Sequence, residues 1–172
     1  GSMMNMFNKT IEGIRKFIKE QKETAKESGI ETFLTIKSFN DNSVTIPGFN
    51  KENILNVDDI DVTYFCPRGG TKLIDTTVET LLEQNRRYES WKSKKPNSKM
   101  QRIFALLTDG NDTCSRLYDE YSMNKCITKM RDEGTICIFL AANQDAIKEG
   151  NQYGFSRGHS MTYNQTNKCA EE

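Results

Sequence analysis

The sequence has no long hydrophobic run and no excess of charge of either sign. Its longest apolar stretch, residues 136–142, is far too short to span a bilayer, so we expect no membrane segment. Lys and Arg together number 24, as do Asp and Glu. The resulting net charge of zero gives no general attraction to nucleic acid or anionic lipid. The mean hydropathy of −0.70 is low for an α/β domain, and only two nearly all-apolar strands can be found.

Paired cysteines and a secretory leader are also missing. The five cysteines are odd in number, widely scattered and without a Cys-x-x-Cys pair. This usage indicates reduced thiols rather than a disulfide framework, and Cys137, inside an apolar run, is expected to be a small core residue. No basic segment followed by an apolar stretch opens the chain. We therefore expect an intracellular protein or a component of a virion.

The hydrophobic pattern predicts alternating helices and strands in a single domain. Phe7, Ile11, Ile14 and Ile18 fall on one stripe of the first helix. The turn-forming residues 40–43 separate two strands of a hairpin. Helices are predicted over 4–26, 73–87, 116–131 and 143–152, strands over 32–39, 44–46, 103–107, 135–142 and 159–163, and a polar loop over 89–98.

This order predicts an α/β fold, an open and mostly parallel sheet with one antiparallel edge strand and helices on both faces. The hairpin is placed at the edge because Pro47 cannot donate to a central ladder. The runs 103–107 and 135–142 are expected to be parallel strands buried on both faces, with Leu106 and Ile138 in the core. Ligands of such sheets bind beyond the carboxyl ends of the strands.

Two residues near that end suggest a metal site. Asp109 directly follows a predicted strand, and Thr71 follows two glycines that let the backbone approach closely. One carboxylate with hydroxyls and waters is a suitable ligand set for a hard divalent cation such as Mg²⁺. Taken separately, an Asp-Gly turn and a Gly-Gly-Thr helix start are more often structural.

Three ordered segments together resemble the von Willebrand factor A family, in particular its intracellular bacterial, phage and large-virus branch. They are residues 64–75 (Tyr-Phe-Cys-Pro-Arg-Gly-Gly-Thr-Lys-Leu-Ile-Asp), 107–110 (Leu-Thr-Asp-Gly) and 139–146 (Phe-Leu-Ala-Ala-Asn-Gln-Asp-Ala). The resemblance covers residues 10–163 and leaves 164–172 as a flexible tail. It implies a Rossmann-like sheet and a protein-binding module that is not an enzyme.

The resemblance also implies a metal-ion-dependent adhesion site. In that family an Asp-x-Ser-x-Ser loop, a Thr and an Asp hold Mg²⁺, and an acidic residue of a protein partner completes the coordination. Thr71 matches the Thr and Asp109 the Asp. Ser2 matches the second serine of the loop, although Gly1-Ser2 is equally consistent with a tag remnant.

The sequence departs from the family at its first central strand, which has no counterpart together with the first Asp and Ser of the metal loop. We therefore expect Mg²⁺, or Mn²⁺ or Ca²⁺ as substitutes, to bind weakly or not at all. Loss of that strand would also leave sheet edges unpaired, from which we expect a homodimer or a rearrangement that fills the gap.

Other functions are also considered from the sequence. A metal-free structural scaffold of viral or phage origin is the main alternative. Residues 154–158 match Gly-x-Ser-x-Gly with His159 directly after, but a serine hydrolase at Ser156 would need a strand before the serine. Residues 69–72 lack the Gly-Lys-Ser/Thr order of a phosphate-binding loop. The basic stretch 86–102 is interpreted as a solvated helix end rather than a nucleic-acid patch.

Overall fold

The computed structural model describes residues 2–65, 69–109, 111–141 and 145–162, with side chains described from Phe7 onward. The chain divides into two compact units, Gly1–Gly69 and Gly70–Glu172. That both belong to one domain stays a prediction. No helix in the described ranges is long and apolar enough to cross a membrane.

The N-terminal unit is organised by one long amphipathic helix, α1 (Ser2–Ser28), which confirms the helix predicted over 4–26. Ile11, Ile18 and Ala25 lie seven residues apart and are all buried, since this spacing returns to the same helix face every two turns. Gly29 ends the helix with a φ of 69°, and its N–H donates to the Ala25 carbonyl at 3.0 Å. The apolar residues in the same core are Ile46, Phe49, Ile54, Val57 and Ile60.

The predicted hairpin forms, but in a sheet of its own. Strands β2 (Lys37–Phe39) and β3 (Ser43–Thr45) pair in antiparallel fashion, and the Asn42 N–H donates to Asn40 Oδ1 at 3.0 Å in the turn between them. In the described part of the chain, this hairpin does not extend the parallel sheet, so the prediction of an antiparallel edge strand is wrong. A second antiparallel pair joins β1 (Phe33–Leu34) to β4 (Glu52–Asn53), before short 3₁₀ helices at Ile54–Asn56 and Val62–Tyr64.

The C-terminal unit confirms the α/β prediction. Its three strands are all parallel, in the order β5-β6-β7, and successive strands are linked by helices. Leu106 lies opposite Phe139, which confirms that the runs predicted over 103–107 and 135–142 are neighbouring strands. The elements in chain order are α2 (Leu73–Lys94), β5 (Ile103–Thr108), α3 (Glu120–Asp132), β6 (Ile136–Ala141), α4 (Ala146–Tyr153), a 3₁₀ helix (Arg157–His159) and β7 (Ser160–Thr162).

Burial alternates along β5 between buried and mostly exposed residues and along β6 between buried and half-buried residues, so the prediction that both faces of these strands are buried is wrong. Leu106 is buried as expected, but Ile103 is 55% exposed and Ile138 is only half-buried. The helices α3 and α4 pack against β6, whose buried residues include Phe139. Cys137 is also fully buried, which confirms it as a core residue, and burial raises the pKa of its thiol to about 11.

Helix α2 runs seven residues beyond its predicted end at residue 87, through most of the predicted loop at 89–98. The Arg87 guanidinium pairs with the Glu83 carboxylate at 2.5 Å, and the Tyr88 ring stacks on Trp91. The Arg102 guanidinium lies 3.9 Å from the centre of the Tyr88 ring, and Arg102 is only 5% exposed. One cation of the basic stretch is therefore part of the packing that extends the helix.

Candidate functional site

The loop that contains Thr71 is joined to the loop that follows β5. The Thr71 N–H donates to Thr113 Oγ1 at 2.7 Å, and the Thr113 N–H donates back to the Thr71 carbonyl at 2.9 Å. Three residues further on, the Ile74 N–H at the start of α2 donates to Asp112 Oδ1 at 3.1 Å. These bonds hold Thr71 beside the segment that begins at Asp109.

A fully buried carboxylate, that of Asp75, completes this attachment. Backbone N–H groups of three consecutive residues donate to it at 2.9–3.0 Å. Burial is the largest single influence on the pKa of Asp75 and raises it. The three backbone donors and the nearby Lys72 ammonium together outweigh burial, so the pKa lies below its ordinary value. The donors are the backbone groups of Arg116, Leu117 and Tyr118.

Helix α3 begins at Glu120 and not at residue 116 as predicted. Residues 116–118 precede the helix, and their N–H groups donate to Asp75. Asp119 then caps the helix, since its Oδ1 accepts the Ser122 N–H at 2.8 Å. Sequence analysis gave Asp75 no role, and its only signal was an acidic residue in the first turn of a helix.

The Asp112 carboxylate also has a structural role in this loop. Its Oδ1 accepts the Ser115 hydroxyl at 2.5 Å in addition to the Ile74 N–H, and its Oδ2 accepts the Ser115 N–H at 3.3 Å. Ser115 Oγ in turn accepts the Asp75 N–H at 2.9 Å. Both oxygens of Asp112 are therefore occupied by donors from the protein.

Asp109 differs from both of these carboxylates. It is exposed at the carboxyl end of β5, and no described residue forms a hydrogen bond or ion pair with its carboxylate. The described hydrogen bonds of Thr71 use its backbone alone, so its hydroxyl is not engaged by any described residue. An exposed carboxylate and a neutral hydroxyl on joined loops fit part of the ligand set of a hard divalent cation, with waters supplying the remainder.

The third predicted ligand, Ser2, is the first residue of α1 in the N-terminal unit, and its side chain lies outside the described part of the chain. Within the described ranges, no group of three or more His, Cys, Asp or Glu side chains is gathered closely enough to hold a metal ion. Of the three predicted ligands, Thr71 and Asp109 have described side chains, and the metal site stays a prediction.

Ser156 and His159 do form a hydrogen bond, with Ser156 Oγ 3.1 Å from His159 Nδ1. However, Ser156 follows helix α4 and precedes one turn of 3₁₀ helix, whereas a nucleophile elbow places its serine directly after a strand. The segment is a turn before β7, as the sequence indicates. That the protein is not an enzyme stays a prediction.

No protein-family model, no curated protein and no solved structure matches this chain.

Proposed function

We propose that this chain is a von Willebrand factor A-like binding module that presents a divalent cation to a protein partner through Asp109 and Thr71. One observation carries the proposal. The Thr71 loop is tied by hydrogen bonds to the loop that starts at Asp109, while the Thr71 hydroxyl and Asp109 carboxylate have no described partner. Polar groups that are held in place but left unsatisfied are suited to a ligand.

Mg²⁺ is the proposed cation, with Mn²⁺ or Ca²⁺ as substitutes, because the available donors are oxygens only. An acidic residue of the partner would supply a further carboxylate. With a single carboxylate of its own, the chain should hold the ion weakly. Partner binding and ion binding should therefore strengthen each other.

The sheet order supports the likeness to this family. Strand β5 lies at one end of the order β5-β6-β7, and its other edge pairs with no described strand. The central first strand that the sequence lacks would lie beside β5 in a von Willebrand factor A domain. An unpaired edge also favours association with a second copy of the chain, so we propose a homodimer, which light scattering would distinguish from a monomer.

Calorimetric titration with Mg²⁺ and Mn²⁺ tests the cation site. Three proteins are compared: the chain itself, a version extended at its N-terminus by an apolar strand ending in Asp-x-Ser, and the extended version carrying Asp109→Ala. The extension should raise affinity about 10–100-fold, and Asp109→Ala should remove that gain. If the extended chain binds neither Mg²⁺ nor Mn²⁺, or if Asp109→Ala leaves binding unchanged, the cation proposal is wrong.

A metal-free scaffold is the second candidate function, and the buried contacts of Asp75 favour it. Asp75 and Asp112 fasten the two loops through hydrogen bonds alone, so the loops need no ion to hold their positions. Two results would support this alternative. The extended chain would bind neither cation, and a chelator would leave association with the partner unchanged.

A further inference from the structure

A second feature of the same end of the sheet is an acidic cleft of about 300 Å³ between the loop after β5 and helices α3 and α4. Its volume lies at the lower end of the range of roughly 300–1,000 Å³ for small-molecule sites. Four carboxylates line it, opposed by the single ammonium of Lys148. They belong to Asp112, Glu120, Asp145 and Glu149.

Tyr153 lines the cleft with a hydroxyl that has no described hydrogen-bond partner. The residue is only 5% exposed, and its ring packs edge-on against Phe139 at a centroid distance of 6.0 Å, which fixes its position. Burial, followed by the negative charges of Glu120, Glu149 and Asp112, raises the pKa of Tyr153 to about 12. The phenol therefore stays neutral and faces these carboxylates. Its oxygen can accept a hydrogen bond from a ligand in the cleft.

Two of the carboxylates are also without a described partner. Asp145 precedes α4 at the N-cap position, but its side chain makes no capping bond, and Glu120 lies exposed in the first turn of α3. Asp112 is different, because both of its carboxylate oxygens accept hydrogen bonds from Ile74 and Ser115. The cleft thus combines negative charge with acceptors that no described group occupies.

The spacing of these groups indicates an extended ligand. The described carboxylates are not gathered closely enough to hold a metal ion, although together they line one cleft. An ammonium or guanidinium group is a hydrogen-bond donor only, so it pairs with carboxylates and with a phenol oxygen. We propose that this cleft binds an organic polycation with two or more such groups, which Glu120 and Asp145 contact through charge and Tyr153 through its hydroxyl.

Two ligands distinguish a free polyamine from a basic segment of a protein partner. They are spermidine and a blocked peptide that contains two arginines. Each is titrated calorimetrically into the full chain at low salt with a chelator present. Tyr153→Phe keeps the packed ring but removes the hydroxyl, and should weaken binding about 10-fold. Glu120→Gln with Asp145→Asn should weaken it at least about 10-fold. Asp132→Asn is the matched control, because it removes one exposed negative charge from the far end of α3.

Tighter binding of spermidine assigns a free polyamine, and tighter binding of the peptide assigns a basic segment of a partner. Both outcomes support the site if the control variant binds like the original chain. Binding of neither ligand, or equal weakening by Asp132→Asn, overturns the proposal. Neither Asp109 nor Thr71 lines the cleft, so Asp109→Ala should weaken polycation binding less than Tyr153→Phe does. Loss of metal binding alone would therefore not count against the cleft.

Discussion

Asp75, in the first turn of α2, and Asp109, directly after β5, lie on segments that are joined by hydrogen bonds, yet their surroundings are opposite. Asp75 is fully buried and accepts three backbone N–H groups, whereas Asp109 is exposed and has no described partner. A buried charge persists only when it is paired or hydrogen-bonded, so Asp75 contributes to stability. An unpartnered charge on a fixed loop contributes little to stability and remains available to a ligand. Asp75 is therefore a structural residue, whereas Asp109 is the residue proposed for binding.

The largest effect is expected for Asp75→Ala. The substitution would leave three backbone N–H groups without an acceptor and should destabilise the protein by about 3–5 kcal/mol. Urea denaturation measures the free energy of unfolding. Asp132→Ala, at an exposed position of α3, is the control and should stay within about 0.5 kcal/mol of the original. A near-neutral Asp75→Ala would show that the loops are held by other contacts.

A second comparison concerns the two faces of β5. Leu106→Ala, on the buried face, should cost about 2–5 kcal/mol, because it removes apolar contacts and leaves a cavity. Ile103→Ala removes a side chain that is 55% exposed and should cost less than about half as much. Both variants are measured in the same urea series. Equal losses of unfolding free energy would mean that the face of β5 that carries Ile103 is covered in solution.

Acidification should weaken the Asp75 contacts in a specific direction. The pKa of Asp75 is lowered in the folded state, so its stabilising contribution is complete above the ordinary carboxyl pKa and is lost as the pH falls through the folded value. The difference in unfolding free energy between the original chain and Asp75→Ala should stay constant from pH 7 to about pH 5 and then shrink. If the difference in unfolding free energy stays unchanged to about pH 2, the ionised Asp75 carboxylate is not its source.

The smallest change in stability is expected for Asp109→Ala. Because no described group contacts the carboxylate, the unfolding free energy should change by no more than about 0.5 kcal/mol. The same urea series measures this change. If the stability is unchanged, a loss of cation binding in the variant reflects the missing Asp109 carboxylate and not unfolding. A loss above about 2 kcal/mol would mean that Asp109 is structural after all.

Local periodicity predicted much of the fold. The buried stripe of α1 and the parallel pairing of β5 with β6 followed from the spacing of apolar residues. The errors all came from contacts between residues distant in sequence. The N–H groups before α3 donate to Asp75, and Arg102 lies over Tyr88 in the part of α2 that was predicted to be a loop. The exposed face of β5 also depends on which helices cover the sheet.

The candidate site was predictable only in part. Thr71 and Asp109 were chosen from the sequence, and the structure ties the Thr71 loop to the segment after Asp109 through Thr113. The sequence singled out Asp109 because it directly follows a predicted strand, but it did not indicate that Asp75 and Asp112 accept backbone N–H groups. The difference between these acids lies in hydrogen-bond partners some 40 residues away.

Paramagnetic broadening by Mn²⁺ tests the central claim most directly, because it locates even a weakly bound ion. Amide resonances of the chain are followed by NMR during titration with substoichiometric Mn²⁺. The account predicts that broadening is strongest at Asp109 and Thr71 and disappears there in the Asp109→Ala variant, with Asp132→Ala as the control. Broadening centred on the Glu120 and Asp145 cleft, or unchanged by Asp109→Ala, would contradict it.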